Sequence, residues 1–144
     1  MNRNEKFAKK ADALFSKSVR FSELKAEKKL EKAIGFYSKA FEKPLNGSAY
    51  SAEAYKALGK LKLALGKPQE AKSCFYNAVQ AYAGNKDKKN IAIASVLLAR
   101  QETDLDAKRI NYSRAANIFK YIAEELNSQE RLFYYEALGA VKAL

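Results

Sequence analysis

The sequence predicts an all-α fold, and three observations lead to this prediction. Ala, Lys, Leu and Glu dominate the 144 residues, which include only 6 Gly and 2 Pro, a composition typical of helical proteins. No run of alternating β-branched residues is long enough to indicate a sheet. Apolar residues instead recur at spacings of three and four, which places them on one face of a helix. One domain over residues 1–144 is expected, because a chain of this length buries roughly 70% of its extended surface.

The clearest helical pattern lies in residues 52–82, where two segments flank the break Gly66-Lys67-Pro68. Each segment combines small residues, which let two helices approach closely, with large residues that fill the space between them. The positions are Tyr55, Leu58, Gly59 and Leu65 in the first segment, and Ala71, Phe75, Ala78 and Tyr82 in the second. Such a pair cannot bury both apolar faces alone, so further helices are expected to pack against it.

Turn and capping residues divide the whole chain into seven predicted helices. Their ranges are 4–17, 23–43, 51–65, 68–82, 88–102, 106–126 and 129–144. Asp104 or Asp106 is the predicted N-cap of the sixth helix, and Pro68 suits the first turn of the fourth. The fifth helix contains IAIASVLLA and is apolar all round, so neighbouring helices must cover it on several sides.

Internal repeats indicate how these helices are arranged. An aromatic residue followed three positions later by alanine occurs three times, at intervals of 38 and 37 residues. The pairs are Tyr37 with Ala40, Phe75 with Ala78, and Tyr112 with Ala115. The segment Tyr55-Lys-Ala-Leu58-Gly59 returns 80 residues later as Tyr135-Glu-Ala-Leu138-Gly139. We therefore expect a right-handed solenoid of antiparallel helical hairpins, the alternative being an ordinary helical bundle.

The pattern Tyr55-x-x-Leu58-Gly59…Ala71-x-x-x-Phe75-x-x-Ala78 resembles the tetratricopeptide repeat. The long helices, and the segment KLEKAIGFYSKAF at residues 29–41, resemble the N-terminal part of the soluble NSF attachment proteins (SNAPs). This resemblance implies an adaptor in vesicle fusion and intracellular transport that binds an acidic, helical SNARE-type bundle. It also implies recruitment of an AAA+ ATPase through the family's acidic C-terminal tail, whereas residues 141–144 here read Val-Lys-Ala-Leu.

The charge distribution favours an acidic partner. The net charge is +11, and residues 1–72 hold 17 Lys and Arg against 8 Asp and Glu. Lys56, Lys60 and Lys62 are the predicted partner-binding residues, on the concave face that the Tyr-Leu-Gly helices would line. They would attract an acidic helical bundle over long range. A solvated lysine face, a clamp for a peptide carboxylate in a general tetratricopeptide adaptor, and RNA binding are the alternatives, with nucleic acid less favoured.

A second candidate site is the segment between the first two predicted helices. Its apolar residues are Phe15, Val19, Phe21 and Leu24, flanked by Lys and Arg. The SNAP resemblance implies that this loop contacts a membrane, and basic groups beside apolar side chains suit an anionic bilayer. The same side chains would equally serve to close the N-terminal end of the solenoid.

No enzyme site or cofactor site is predicted. The sequence has no histidine and a single cysteine, Cys74, which is expected to be a small buried hydrophobic residue. No glycine-rich phosphate loop and no carboxylate cluster with metal-ligand spacing is present. A cytoplasmic location, with peripheral membrane contact as an option, is expected. Phe133 and Leu138 leave the last helix with an apolar edge that could pair with a second copy.

Overall fold

The computed structural model describes Lys6, Lys9, Lys10, Ala13 and residues 23–40 and 49–144. It contains six complete α helices and no strand within these residues. They are α1 (Glu23–Ala40), α2 (Ala49–Ala64), α3 (Pro68–Gly84), α4 (Lys88–Gln101), α5 (Leu105–Tyr121) and α6 (Ser128–Ala143), with a 3-10 turn at Ala123–Glu125. The predicted all-α class is confirmed. The predicted helix over 4–17 lies mostly outside the described residues, although the four that are described there are helical.

Short side chains fix the starts of the last three helices. The Asp87 carboxylate accepts a hydrogen bond from the Asn90 backbone N–H at 3.2 Å, and Asp104 accepts one from the Ala107 N–H at 2.8 Å. Asp104, rather than Asp106, is therefore the N-cap of α5. Asn127 and Glu130 form a reciprocal capping box on α6. These caps satisfy backbone donors that have no partner within their own helix.

The helices pack mainly against their neighbours along the chain, and α4 also contacts α6. A central cluster joins α2, α3 and α4 around the fully buried Phe75, with Leu97 and Leu98 from α4. A second cluster joins α4, α5 and α6 around Phe119 and Val96. The predicted face of α3 is confirmed, since its residues Ala71, Phe75, Ala78 and Tyr82 are all buried. The apolar α4 is covered on both sides, as its composition requires.

Helices α2 and α3 form an antiparallel hairpin with very close contact. Tyr82 at the end of α3 donates a hydrogen bond to Glu53 near the start of α2, while Phe75 lies against Gly59. Gly66 in the connection has a φ of +74°, a left-handed conformation that glycine adopts without strain. Cys74 is buried as predicted, and burial raises the pKa of its thiol to about 11.

The two Tyr-Leu-Gly segments lie in different surroundings. Tyr55 is 8% exposed, whereas Tyr135 is 59% exposed. Gly139 has no atom of the described residues within 4 Å of the position where a Cβ would lie. The reason is that α3 covers the face of α2 that carries Tyr55 and Gly59. No described helix covers the corresponding face of α6, which carries Tyr135 and Gly139. None of the described helices combines the length and apolarity needed to cross a bilayer.

Candidate functional site: a basic surface on α2 and α4

Lys56 and Lys60 lie one turn apart on α2, and the structure gives them different surroundings. The Nζ atom of Lys56 is 3.3 Å from Glu53 Oε2 and 5.8 Å from the centre of the Tyr82 ring. Only 17% of the Lys56 side chain is exposed. Burial and the hydrogen bond to Glu53 raise the pKa of the Tyr82 hydroxyl. Lys56 is therefore held in place by groups of the protein itself.

Lys60 is exposed, and no carboxylate of the described residues lies within ion-pair distance of its ammonium group. Partial burial lowers its pKa, and the positive charges of Lys56 and Arg100 lower it further. Glu53 opposes this shift without cancelling it. An unpaired cation beside two others is a place where a negative charge from a partner would be stabilised.

Arg100 supplies the third cation from the last turn of α4. Its Nη2 and Nε atoms lie 2.5 and 2.9 Å from the two carboxylate oxygens of Glu136 on α6. Tyr112 of α5 donates to the same carboxylate at 2.9 Å, and the Arg100 guanidinium is 5.3 Å from the centre of the Phe133 ring. The hydrogen bond to Arg100 lowers the pKa of Glu136. This network fixes Arg100 while leaving 43% of its side chain exposed.

Arg100 is absent from the residues that the sequence predicted for this site, although a signal was present. It follows Lys60 by 40 residues, and Leu98 follows Leu58 by the same interval. Lys60 and Arg100 therefore occupy matching positions on α2 and α4. The apolar run before Arg100 concealed this correspondence, because almost every position in it can pack in a core.

Lys62 does not belong to this surface. Its Nζ atom lies 2.9 Å from Glu27 and 2.7 Å from Glu31, both on α1, and 3.8 Å from Glu70 on α3. Only 8% of its side chain is exposed. The sequence placed Lys62 with the partner-binding lysines, and the structure instead places it between helices. The physical reason is its spacing, since Lys62 follows the buried Leu58 by four residues and so lies on the same helix face.

Lys62 and Glu27 are the buried members of this ion-pair cluster, whereas Glu31, Lys67 and Glu70 are about half exposed. Lys67, between α2 and α3, contributes a second ammonium 3.2 Å from Glu27. Burial alone would lower the pKa of Lys62, but hydrogen bonds from its ammonium to Glu31 and Glu27 raise it. The hydrogen bond from Lys62 likewise lowers the pKa of Glu27. The cluster joins α1 to the α2–α3 hairpin and has an internal structural role.

The predicted membrane-contact residues lie outside the part of the chain that can be described in full. Phe15, Val19 and Phe21 are not among the described residues, and Leu24 is described only as a helical position in α1. Membrane contact and closure of the N-terminal end both stay predictions.

The chain matches no protein-family model, no curated protein and no solved structure. The resemblance to tetratricopeptide repeats and SNAPs therefore stays a prediction from the sequence. Within residues 23–40 and 49–144, no group of three or more Cys, Asp or Glu side chains could hold a metal ion. The site on α2 and α4 is a surface of positive charge, suited to electrostatic recognition of an acidic group.

Proposed function

We propose that this chain is a non-enzymatic scaffold for protein–protein interaction, built as a tetratricopeptide-type solenoid similar to the N-terminal part of a SNAP. It binds an acidic, helical SNARE-type bundle on the surface formed by Lys56, Lys60 and Arg100, in vesicle fusion or intracellular transport. The observation that carries this proposal is the exposed ammonium of Lys60, which has no carboxylate within ion-pair distance among the described residues, together with Arg100 at the matching position of α4.

The order of the helices favours an extended ligand over a single small acidic group. Lys60 and Arg100 lie on alternate helices, α2 and α4, and Arg100 contacts Glu136 of α6. In the proposed solenoid these three alternate helices would line one face. A ligand that meets both cations must extend across these helices, as one edge of a helical bundle would. Long-range attraction by a chain of net charge +11 would steer such a ligand toward this surface.

A general tetratricopeptide adaptor that holds a short acidic peptide is the second candidate. Pocket shape gives it limited support, since the groove of about 310 Å³ beside Arg100 is lined by Gln129, Leu132, Phe133 and Glu136. Glu136 would repel a peptide carboxylate there, although Arg100 partly neutralises it. The extended basic surface is therefore the better-supported site. Recruitment of an AAA+ ATPase and peripheral contact with an anionic membrane are separate proposals that rest on the resemblance alone.

Binding can be tested by fluorescence anisotropy with four labelled ligands: an assembled acidic four-helix SNARE-type bundle, one of its unfolded chains, a short acidic peptide and single-stranded RNA. The bundle should bind most tightly, and its affinity should fall steeply as salt increases. Lys60→Glu should weaken binding about tenfold, equivalent to about 1.4 kcal/mol. Lys120→Glu is the matched control, since it reverses an exposed charge on α5.

The outcomes separate the candidates. Equal losses for the two charge reversals would exclude the α2–α4 surface as the specific site. Tighter binding of the short peptide would favour the general adaptor, and tight binding of RNA would contradict a protein ligand. Lys60→Glu and Lys120→Glu change the net charge by the same amount. They therefore weaken non-specific attraction by the whole chain equally, and any difference in affinity between them reflects the site.

A further inference from the structure

The segment Tyr-x-Ala-Leu-Gly occurs twice, and the structure shows what one copy of it packs against. In α2, an aromatic ring from an antiparallel helix occupies the space over the glycine: a Cβ on Gly59 would lie 2.5 Å from Phe75 Cε1. In α6, the corresponding Gly139 has no neighbour within 4 Å of its Cβ position. The same local surface is therefore filled on α2 and open on α6.

The open face of α6 also carries exposed apolar side chains. Leu132 is 66% exposed and Tyr135 is 59% exposed. They lie seven and four residues before Gly139, so all three share one side of the helix. This side of α6 has open space for an aromatic ring over Gly139, and it also carries an aromatic ring at Tyr135.

We propose that α6 pairs with α6 of a second copy of this chain, with Tyr135 of each copy packed on Gly139 of the other. With the two-fold axis perpendicular to the two α6 helices, these run antiparallel, as α2 and α3 do. A crossing midway between positions 135 and 139 brings each tyrosine to the partner's glycine, one helical turn away. The interface is self-complementary, which is what two-fold symmetry requires.

The second copy is favoured over an unrelated helix because one face of α6 supplies both halves of the contact. In the same arrangement, Leu132 lies opposite Lys142, whose aliphatic stem can cover it. The α2–α3 contact shows that this chain already uses glycine in this way to bring two helices together. Phe133 and Leu138 take no part, since they face inward against the α4–α5–α6 cluster.

Charge gives this dimer a distinctive salt dependence. Each copy has a net charge of +11, and the exposed Arg131 and Lys142 flank the contact. Two such copies repel each other, and salt screens this repulsion. Self-association should therefore strengthen as salt increases, whereas binding of an acidic partner at Lys60 should weaken. The two proposals can fail independently.

The test is sedimentation velocity of the full chain over a range of concentrations, at low and high salt. The wild-type chain should change from monomer to dimer as concentration rises, at lower concentration in high salt. Gly139→Leu places a side chain where the ring of the partner's Tyr135 would pack, and it should raise the dissociation constant of the dimer at least tenfold. Gly35→Leu is the control, because Gly35 is also an exposed helical glycine with no neighbour at its Cβ position among the described residues.

Tyr135→Ser provides a second variant, with Tyr76→Ser as control, since Tyr76 is similarly exposed at 55% but lies on α3. Helical circular dichroism should be unchanged in all four variants, because the positions are exposed. A wild-type chain that stays monomeric at millimolar concentration in high salt would overturn the proposal. So would a dimer that Gly139→Leu and Tyr135→Ser leave intact, which would place the contact elsewhere.

Discussion

The ring of Phe75 occupies the space in which any side chain at Gly59 would lie, with Phe75 Cε1 2.5 Å from an ideal Cβ at that position. Phe75 is itself 0% exposed, so the ring cannot move outward into solvent. This contact allows α2 and α3 to approach closely, because glycine leaves room for the ring.

Replacing Gly59 with alanine should therefore destabilise the protein, although alanine is the better helix former. Overpacking should outweigh the gain in helix propensity and lower the free energy of unfolding by about 1–3 kcal/mol. Gly35→Ala is the control, and it should raise that free energy by roughly 0.5–1 kcal/mol, because its Cβ would meet no atom of the described residues within 4 Å. Urea unfolding followed by circular dichroism measures both. A stabilising Gly59→Ala would show that the ring can move aside.

Lys62→Met should destabilise the fold far more than Lys60→Met. Without Lys62, the buried carboxylate of Glu27 keeps Lys67 as its one ion-pair partner among the described residues, and loss of one member of a buried ion pair costs about 3 kcal/mol. Lys60→Met removes an exposed charge and should change stability by at most about 0.5 kcal/mol. Equal effects in urea unfolding would contradict the internal role of Lys62.

The Arg100–Glu136 contact should make stability depend on pH in the acidic range. The pKa of Glu136 is lowered in the folded protein, so its contribution is present above the unfolded value of about 4.3 and is lost as the pH falls through the folded value. Glu136→Gln should lower the free energy of unfolding at pH 7 by at most about 1 kcal/mol, since the pair is partly exposed.

The difference between wild type and Glu136→Gln should then shrink as the pH is lowered below 4. Glu124→Gln, on the exposed 3-10 turn, is the matched control and should follow the wild type at every pH. Thermal unfolding between pH 3 and pH 7 provides the measurement. A difference that persists unchanged at pH 3 would mean that the lost contact is not electrostatic.

Much of the helical architecture could be predicted because it depends on local spacing. The buried face of α3, the buried Cys74 and a cap at Asp104 or Asp106 follow from residues within a few turns of one another, and the structure selects Asp104. On α2, Tyr55 and Leu58 are buried as predicted, whereas Leu65 lies beyond the end of the helix. The surroundings of Tyr135 could not be predicted in this way. Its local sequence matches that of Tyr55, but whether a helix covers it depends on residues far away in the chain.

The sequence by itself determined that this protein is helical and that Ala71, Phe75, Ala78 and Tyr82 form the buried face of α3, because helix periodicity is a local property. Only the tertiary structure decided which lysines are free to bind a partner. Lys60 and Lys62 are two residues apart, yet Lys60 is exposed with no ion-pair partner among the described residues, and Lys62 donates a 2.7 Å hydrogen bond to Glu31, 31 positions away in the sequence. A buried charge needs neighbouring groups of opposite charge, and the tertiary structure supplies them. For Lys62 they are Glu27 and Glu31 of α1.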